Sequence, residues 1–353
     1  MIQGHGDDRY RFQRAIRADF SSNVYAHVDL EPLKAHLKGC LDVIGRYPEP
    51  EPYTLERALA ARLDIDPSAV CVTAGATEAI YLTAHASQGS RSTILQPTFS
   101  EYADACHLYK HKFDDESERS DGWFLDREHF FASETKTRGA ERAIIWLCNP
   151  NNPTGTVIPK ATLVEAIEMN PDTIFVIDQS YGFFTQEPLL SAAQAAGYPN
   201  VIQLHSMTKR YAMPGLRLGY VTAHPALIDR IRAVRMPWSV NALAIEAGLY
   251  LCAHPDTALI DLPALLTETQ RLRDLLDAIP GLTAEPTQTH FFHCRLAGVR
   301  AADLKQRLAE DYGILIRDAS NFEGLDPHCF RIATQTPDEN DLLADAILTC
   351  LSH

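Results

Sequence analysis

The stretch "HSMTKRYAMPGLRLGYV", residues 205–221, sets a lysine, Lys209, behind two hydroxyl residues, Ser206 and Thr208. Ahead of it stand Gly215, Arg217 and Gly219. It joins two apolar runs of strand length, "VIQLHS" (201–206) and "LGYVTA" (218–223). A surface lysine would sit in a polar helix face; this one lies where one strand ends and the next begins. Four more runs of the same kind precede it: "AVCVT" (69–73), "STILQ" (92–96), "AIIWLC" (143–148) and "TIFVID" (173–178). Runs that are apolar throughout predict strands covered on both faces. Helical patterns lie between or after them, as in "TEAIYLTAHAS" (77–87), "SEYADACHLYK" (100–110), "KATLVEAIEM" (160–169) and "PALIDRIRAVR" (225–235). The alternation predicts an α/β fold with a mostly parallel, doubly covered sheet.

Past residue 240 the pattern changes. A long helical stretch (255–279) precedes shorter elements, including the strand "GILIRD" (313–318) and the helix "DENDLLADAILTC" (338–350). These predict a smaller α+β domain over 241–353. Residues 46–240 form the large domain. Residues 1–45, irregular up to the break at "RYPEPEPY", form an arm or part of the small domain.

With 353 residues, 46% apolar and 22% charged, the chain has the composition of a soluble globular enzyme. Its net charge of -14 argues against nucleic-acid and anionic-membrane partners. No apolar run reaches the ~18 residues of a membrane span, and the N-terminus has no secretory apolar core. The eight scattered cysteines read as reduced thiols of a cytoplasmic protein. The acidic run 114–122 reads as a solvated loop, and Trp123, Trp146 and Trp238 as packing aromatics. His290, His293 and His328 are not spaced as metal ligands, so no metal is expected.

Ligands of an open α/β sheet gather at the carboxyl ends of its strands. Four such ends carry "VTAGATEAI", "LCNPNNPTGT", "VIDQSY" and "LHSMTK". A helix start at Gly75–Glu78 offers free amides to a phosphate, and Ser206, Thr208 and Arg217 can complete the cup. Asp178 can keep a pyridine nitrogen protonated. Tyr181 and an asparagine can bond a ring hydroxyl, Phe99 can lie on the ring, and Lys209 can form a Schiff base. This is the set that pyridoxal 5'-phosphate requires.

"NNPTG", "D-x-x-Y" and "S-x-T-K" with "G-x-R-x-G-Y" together resemble the fold-type-I class I and II aminotransferase superfamily, over roughly residues 5 to 345. That resemblance implies the aspartate-aminotransferase-like fold, pyridoxal phosphate and a homodimer. It assigns Lys209 to the Schiff base, Asp178 to the pyridinium nitrogen, and Tyr181 and Asn152 to the ring hydroxyl. It assigns Phe99 to stacking, and Ala76, Thr77, Ser206, Thr208 and Arg217 to the phosphate. Tyr47 would reach the partner subunit's cofactor, and Arg331 would clamp a small-molecule amino-acid substrate by its carboxylate. Two branches are similar, histidinol-phosphate aminotransferases ("RYPEP", "NPNNPTG") and threonine-phosphate decarboxylases ("HGDDRY", "GILIRDASNFEGLD"). The second is favoured. In both, Arg317 matches a substrate-phosphate position, with His5 and Asn23 assisting. "DQSY" and "SSNVYAHV" depart from the usual pattern. A DNA-binding regulator built on this fold is disfavoured by the acidic charge and by the fold's start near residue 1.

Overall fold

The structure, a computed structural model, describes residues 6–113 and 143–352. His5, the acidic run 114–122 and Trp123 lie outside the described residues. Among the described residues the central sheet has seven strands. In spatial order they are β2 (Val70–Thr73), β8 (Gly219–Ala223), β7 (Val201–Ser206), β6 (Ile174–Asp178), β5 (Ala143–Cys148), β3 (Arg91–Ile94) and β4 (Lys112–Phe113). Every neighbouring pair from β7 to β4 is parallel, and β8 alone runs against both its neighbours. The sheet is therefore mostly parallel, and the chain has an α/β fold.

Both faces are covered, as runs without alternation require. Alternate residues of one strand enter different cores. Ile144, Trp146 and Cys148 pack with Ala79, Ile80 and Leu82 of the helix Ala76–Ala86. Ile145 and Leu147 pack with Leu163, Ala166 and Ile167 of the helix Lys160–Met169. Each fully buried leucine or isoleucine among them stabilises the fold by roughly 1.5–3 kcal/mol.

A second, antiparallel sheet has the order β12 (Arg317–Asp318), β13 (Cys329–Ala333), β10 (Phe291–Leu296), β9 (Leu282–Ala284). It is backed by residues of the helices Leu262–Asp277, Ala301–Arg307 and Pro337–Leu351. The N-terminal residues Ala18 and Phe20 belong to this core.

Three local expectations change. The stretch 255–279 is helical only over Leu262–Asp277, because Asp261 caps the helix at Ala264 and Pro263 starts it. "GILIRD" is not one strand. Ile314–Leu315 (β11) pairs in parallel with Ala18–Asp19 (β1), while Arg317–Asp318 pairs with β13 in the other sheet. The first 45 residues are not wholly irregular, since Glu31–Gly39 is a helix.

Candidate active site

β7 ends at Ser206, whose register partner on β8 is Gly219. The chain between them turns through the short helix Met207–Arg210 and carries Lys209 into a cavity of about 260 Å³ at the strand ends. Lys209 is half-buried and lines the cavity. Desolvation, and then the charges of Arg331 and Arg217, lower its pKa to about 8, against the pull of Asp178 and Asp19.

Several groups lining the cavity can meet an anion. Ala76 and Thr77 open the helix Ala76–Ala86, and both line the cavity. Amides of a first helical turn have no intrahelical acceptor. Gly75 precedes them with φ +87°, and a Cβ there would lie 2.7 Å from the Arg217 guanidinium. A Cβ on Gly219 would lie 2.8 Å from the Ala76 nitrogen. The two glycines thus let strand, helix start and guanidinium converge. Ser206 and Thr208 line the same cavity, their hydroxyls 2.7 Å apart. Arg217 itself holds a left-handed φ of 55°.

Asp178 ends β6 and is buried. Burial raises its pKa. Opposing that, the Ser180 amide donates to one carboxylate oxygen at 2.8 Å and the Tyr102 hydroxyl to the other at 2.7 Å. Tyr102 also meets the Phe99 ring edge-on, with centroids 6.0 Å apart, and Phe99 lines the cavity. Tyr181 is buried in the wall, its ring 4.8 Å from that of Phe291.

The three asparagines of "NPNNPTG" separate into two kinds. Asn149 bonds the backbone of Ile158 at both ends of its amide. Asn151 bonds Pro97, Thr98 and Thr154. Both knit the loop together. Asn152 lines the cavity and accepts from Arg331.

Arg317 and Arg331 are direct register partners across β12 and β13. Both are 5% exposed and line the cavity. Burial, with the charge of Arg331, lowers Arg317 to about 9; burial lowers Arg331 to about 10. Arg317 donates to Asn321 at 2.7 Å and lies over the Phe322 ring. Arg331 donates to Asn152 and to the Ser21 carbonyl, and its Nε has no partner. Asn23 lines the cavity, buried, with neither amide atom hydrogen-bonded.

Tyr47 is not part of this cavity; its ring is 84% exposed and lies 5.6 Å from that of Trp238. Of the histidines considered as ligands, His290 is buried against Phe184, His293 pairs in register with Arg331, and His328 bonds the Val299 carbonyl. Reading the sequence missed Tyr102, Ser180 and the arm residues Gly6, Asp7, Ser21 and Ser22, all of which line the cavity. "HGDDRY" and "SSNVYAHV", quoted above, were the available signal for the arm.

No helix among the described residues is long and apolar enough to cross a membrane. The Aminotransferase class I and II family matches residues 17–347. The threonine-phosphate decarboxylase of Salmonella typhimurium is 31% identical over 343 residues, 95% of this chain and 91% of that protein. The histidinol-phosphate aminotransferase of Thermobifida fusca is 30% identical over 87% of this chain and 81% of its own length. The crystal structure of L-threonine-O-3-phosphate decarboxylase from Porphyromonas gingivalis superposes with a TM-score of 0.85 at 37% identity, covering 95% of this chain and 99% of that one. On the strength of these matches the chain belongs to the class I and II aminotransferase family, and it is a pyridoxal-phosphate-dependent enzyme, a decarboxylase or a transaminase.

Proposed function

We propose that the protein decarboxylates O-phospho-L-threonine or a near analogue, as a homodimer. One observation carries the phosphorylated substrate. Arg317 and Arg331 face each other directly across two strands, buried, in the wall of the cavity. Like charges opposite one another destabilise a sheet, so this pair calls for ligand anions between or beside it. A small molecule bearing both a carboxylate and a phosphate supplies two at once. Guanidinium suits both groups, since it can bond each of them through two parallel donors.

The remaining cavity residues fit pyridoxal phosphate. The amides of Ala76 and Thr77, the hydroxyls of Ser206 and Thr208, and Arg217 would form the cup for the cofactor phosphate. Lys209, whose charged form is disfavoured by desolvation and by Arg331 and Arg217, would hold the cofactor aldehyde. Asp178, fixed by Tyr102 and Ser180, is placed to keep a ring nitrogen protonated. Asn152 and Tyr181 are the candidates for the ring oxygen, and Phe99 for the ring face. When bound, the cofactor supplies an electron sink for the substrate α-carbon. Decarboxylation and transamination part at which bond of that carbon is broken. Arg331, held by Asn152 and Ser21, places the carboxylate and so takes part in that choice.

The test is incubation of the holoenzyme with O-phospho-L-threonine, and separately with histidinol phosphate plus 2-oxoglutarate. Carbon dioxide and an aminopropanol phosphate are expected from the first. Glutamate from the second, with no carbon dioxide from the first, would overturn the decarboxylase reading in favour of the aminotransferase one. Arg317→Ala is expected to cost roughly 2–4 kcal/mol in kcat/KM with the phosphorylated substrate, the range for truncating one partner of a desolvated charge pair. The loss with the unphosphorylated amino acid is expected to be much smaller.

A further inference from the structure

We propose that His36, Cys40 and Glu246 form a binding site for a divalent transition-metal ion, of which zinc(II) fits the donor set best, away from the active-site cavity. His36 and Cys40 stand one helical turn apart, at positions i and i+4, at the end of the helix Glu31–Gly39 that Cys40 closes. The helix Ala242–Ala253 brings Glu246 to the same point. His36 Nε2 lies 3.6 Å from Cys40 Sγ and 3.9 Å from a carboxylate oxygen of Glu246. The three donor atoms lie within 4.8 Å of one another.

Thiolate, imidazole and carboxylate are the three ligand types zinc takes from proteins. With Zn–S near 2.3 Å and Zn–N near 2.0–2.1 Å, two ligands of a tetrahedral ion stand roughly 3.5 Å apart. The His36–Cys40 separation already has that length, while the Glu246 carboxylate stands a few tenths of an ångström beyond it from His36 and within 4.8 Å of Cys40 Sγ, so its side chain must turn inward when the ion binds. At 3.9 Å, His36 and Glu246 are too far apart for a hydrogen bond of their own. The imidazole is oriented: its ring stacks on Tyr250, centroids 4.6 Å apart, and Tyr250 stacks on His254 in turn. Tyr250 lies one turn beyond Glu246 on the same helix, so one helix supplies a ligand and the platform for another. The side chains of His36 and Glu246 are about 30% exposed, which leaves a way in for the hydrated ion and a fourth position for water. An ion held here staples the helix of the N-terminal arm to the helix Ala242–Ala253. It does so immediately before the turn Leu41–Gly45 that leads to Tyr47.

The site is tested on chelator-treated holoenzyme by titration calorimetry with zinc chloride and by absorption spectra with cobalt(II). One ion per chain is expected, with a dissociation constant on the order of 1 μM or tighter. Affinity should fall at least tenfold in Cys40→Ser and in His36→Ala, and stay unchanged in Cys252→Ser. Cobalt should give a thiolate charge-transfer band that Cys40→Ser lacks, and zinc should raise the melting temperature of the wild type only. The cobalt spectrum needs no variant and stands even if a substitution impairs folding. No saturable zinc binding, binding that survives both substitutions, or a cobalt complex without a thiolate band would overturn the site.

Discussion

Lys209 shows how a common residue becomes a chemical one. Desolvation and two nearby guanidinium groups bring its pKa to about 8, well below that of an ordinary lysine. The sign follows: the charged form is disfavoured, so the neutral, nucleophilic amine becomes abundant at a lower pH. Protein stripped of cofactor should therefore take up pyridoxal phosphate about tenfold faster per pH unit up to about 8, then level off. The adduct mass after borohydride reduction measures this, and Lys209→Ala should give none. A rate flat across that range would show that another group controls the step. Tyr102 is the residue at this scale that local sequence conceals. Inside "SEYADACHL" it reads as a core aromatic, and its partner Asp178 is 76 residues away. Tyr102→Phe removes a hydrogen bond to a charged acceptor, worth about 1.5–3 kcal/mol. We expect kcat/KM to fall by one to two orders of magnitude, with the pH dependence of the bound cofactor's visible band displaced. An unmoved spectrum would leave Tyr102 a packing role only. The asparagines teach the same lesson. Asn149, Asn151 and Asn152 are alike in sequence, and the path of the loop alone selects the one that reaches the cavity.

At the level of elements, the runs that read clearly were those whose surroundings are uniform. A strand buried on both faces is apolar at nearly every position, and β2, β5, β6, β7 and β8 fall within the runs quoted for them, while the more polar β3 starts one residue ahead of its run, at Arg91. The helix Ala242–Ala253 did not read as one, because "ALAIEAGLYLCA" is apolar nearly all round and lacks a polar stripe. Glu31–Gly39 failed for the opposite reason: it buries only Leu33, too little to show a period. "GILIRD" reads as one strand because nothing in six residues reports a change of partner. Junctions between elements make the sharpest prediction. Gly75→Ala would place a methyl group 2.7 Å from the Arg217 guanidinium, at a backbone φ of +87° that alanine resists. Arg217 must move, and the anion cup opens. Affinity for pyridoxal phosphate, read by equilibrium dialysis, should fall at least tenfold, while the hydrogen bonds of Arg331 to Asn152 and Ser21 are kept. An unchanged affinity would mean that Arg217 takes no part in holding the phosphate.

For the whole molecule, the surface around Tyr47 is the part left unexplained within one chain. Ile44 is 72% exposed and Met236 75%, and Trp238 contacts Tyr47 at half exposure. Exposed apolar side chains in segments joined by the Tyr47–Trp238 contact fit an interaction surface. In a two-fold dimer each copy would cover it on the other. Sedimentation should give a dimer, and Tyr47→Ala should impair activity. Mixing and re-annealing Tyr47→Ala with Lys209→Ala subunits should restore about a quarter of the sites, because half of the random dimers then carry one site with both residues. A fully active monomer, or no recovery on mixing, would refute the shared site.

The division of "GILIRD" between two sheets has a consequence for how this enzyme can be altered. β11 is tied to the N-terminal β1, and one residue later β12 carries Arg317. The two ends of the chain, some 300 residues apart, therefore form one mechanical part, with Ser21 and Asn23 on one side of it and Arg317 on the other. A change of substrate in a descendant or an engineered variant cannot be confined to the arginine strand. A substitution that tilts β12 drags the arm that walls the same cavity, so mutations at the two termini should combine non-additively. Libraries that vary residues 6–24 and 313–323 together match the unit in which the protein itself is built.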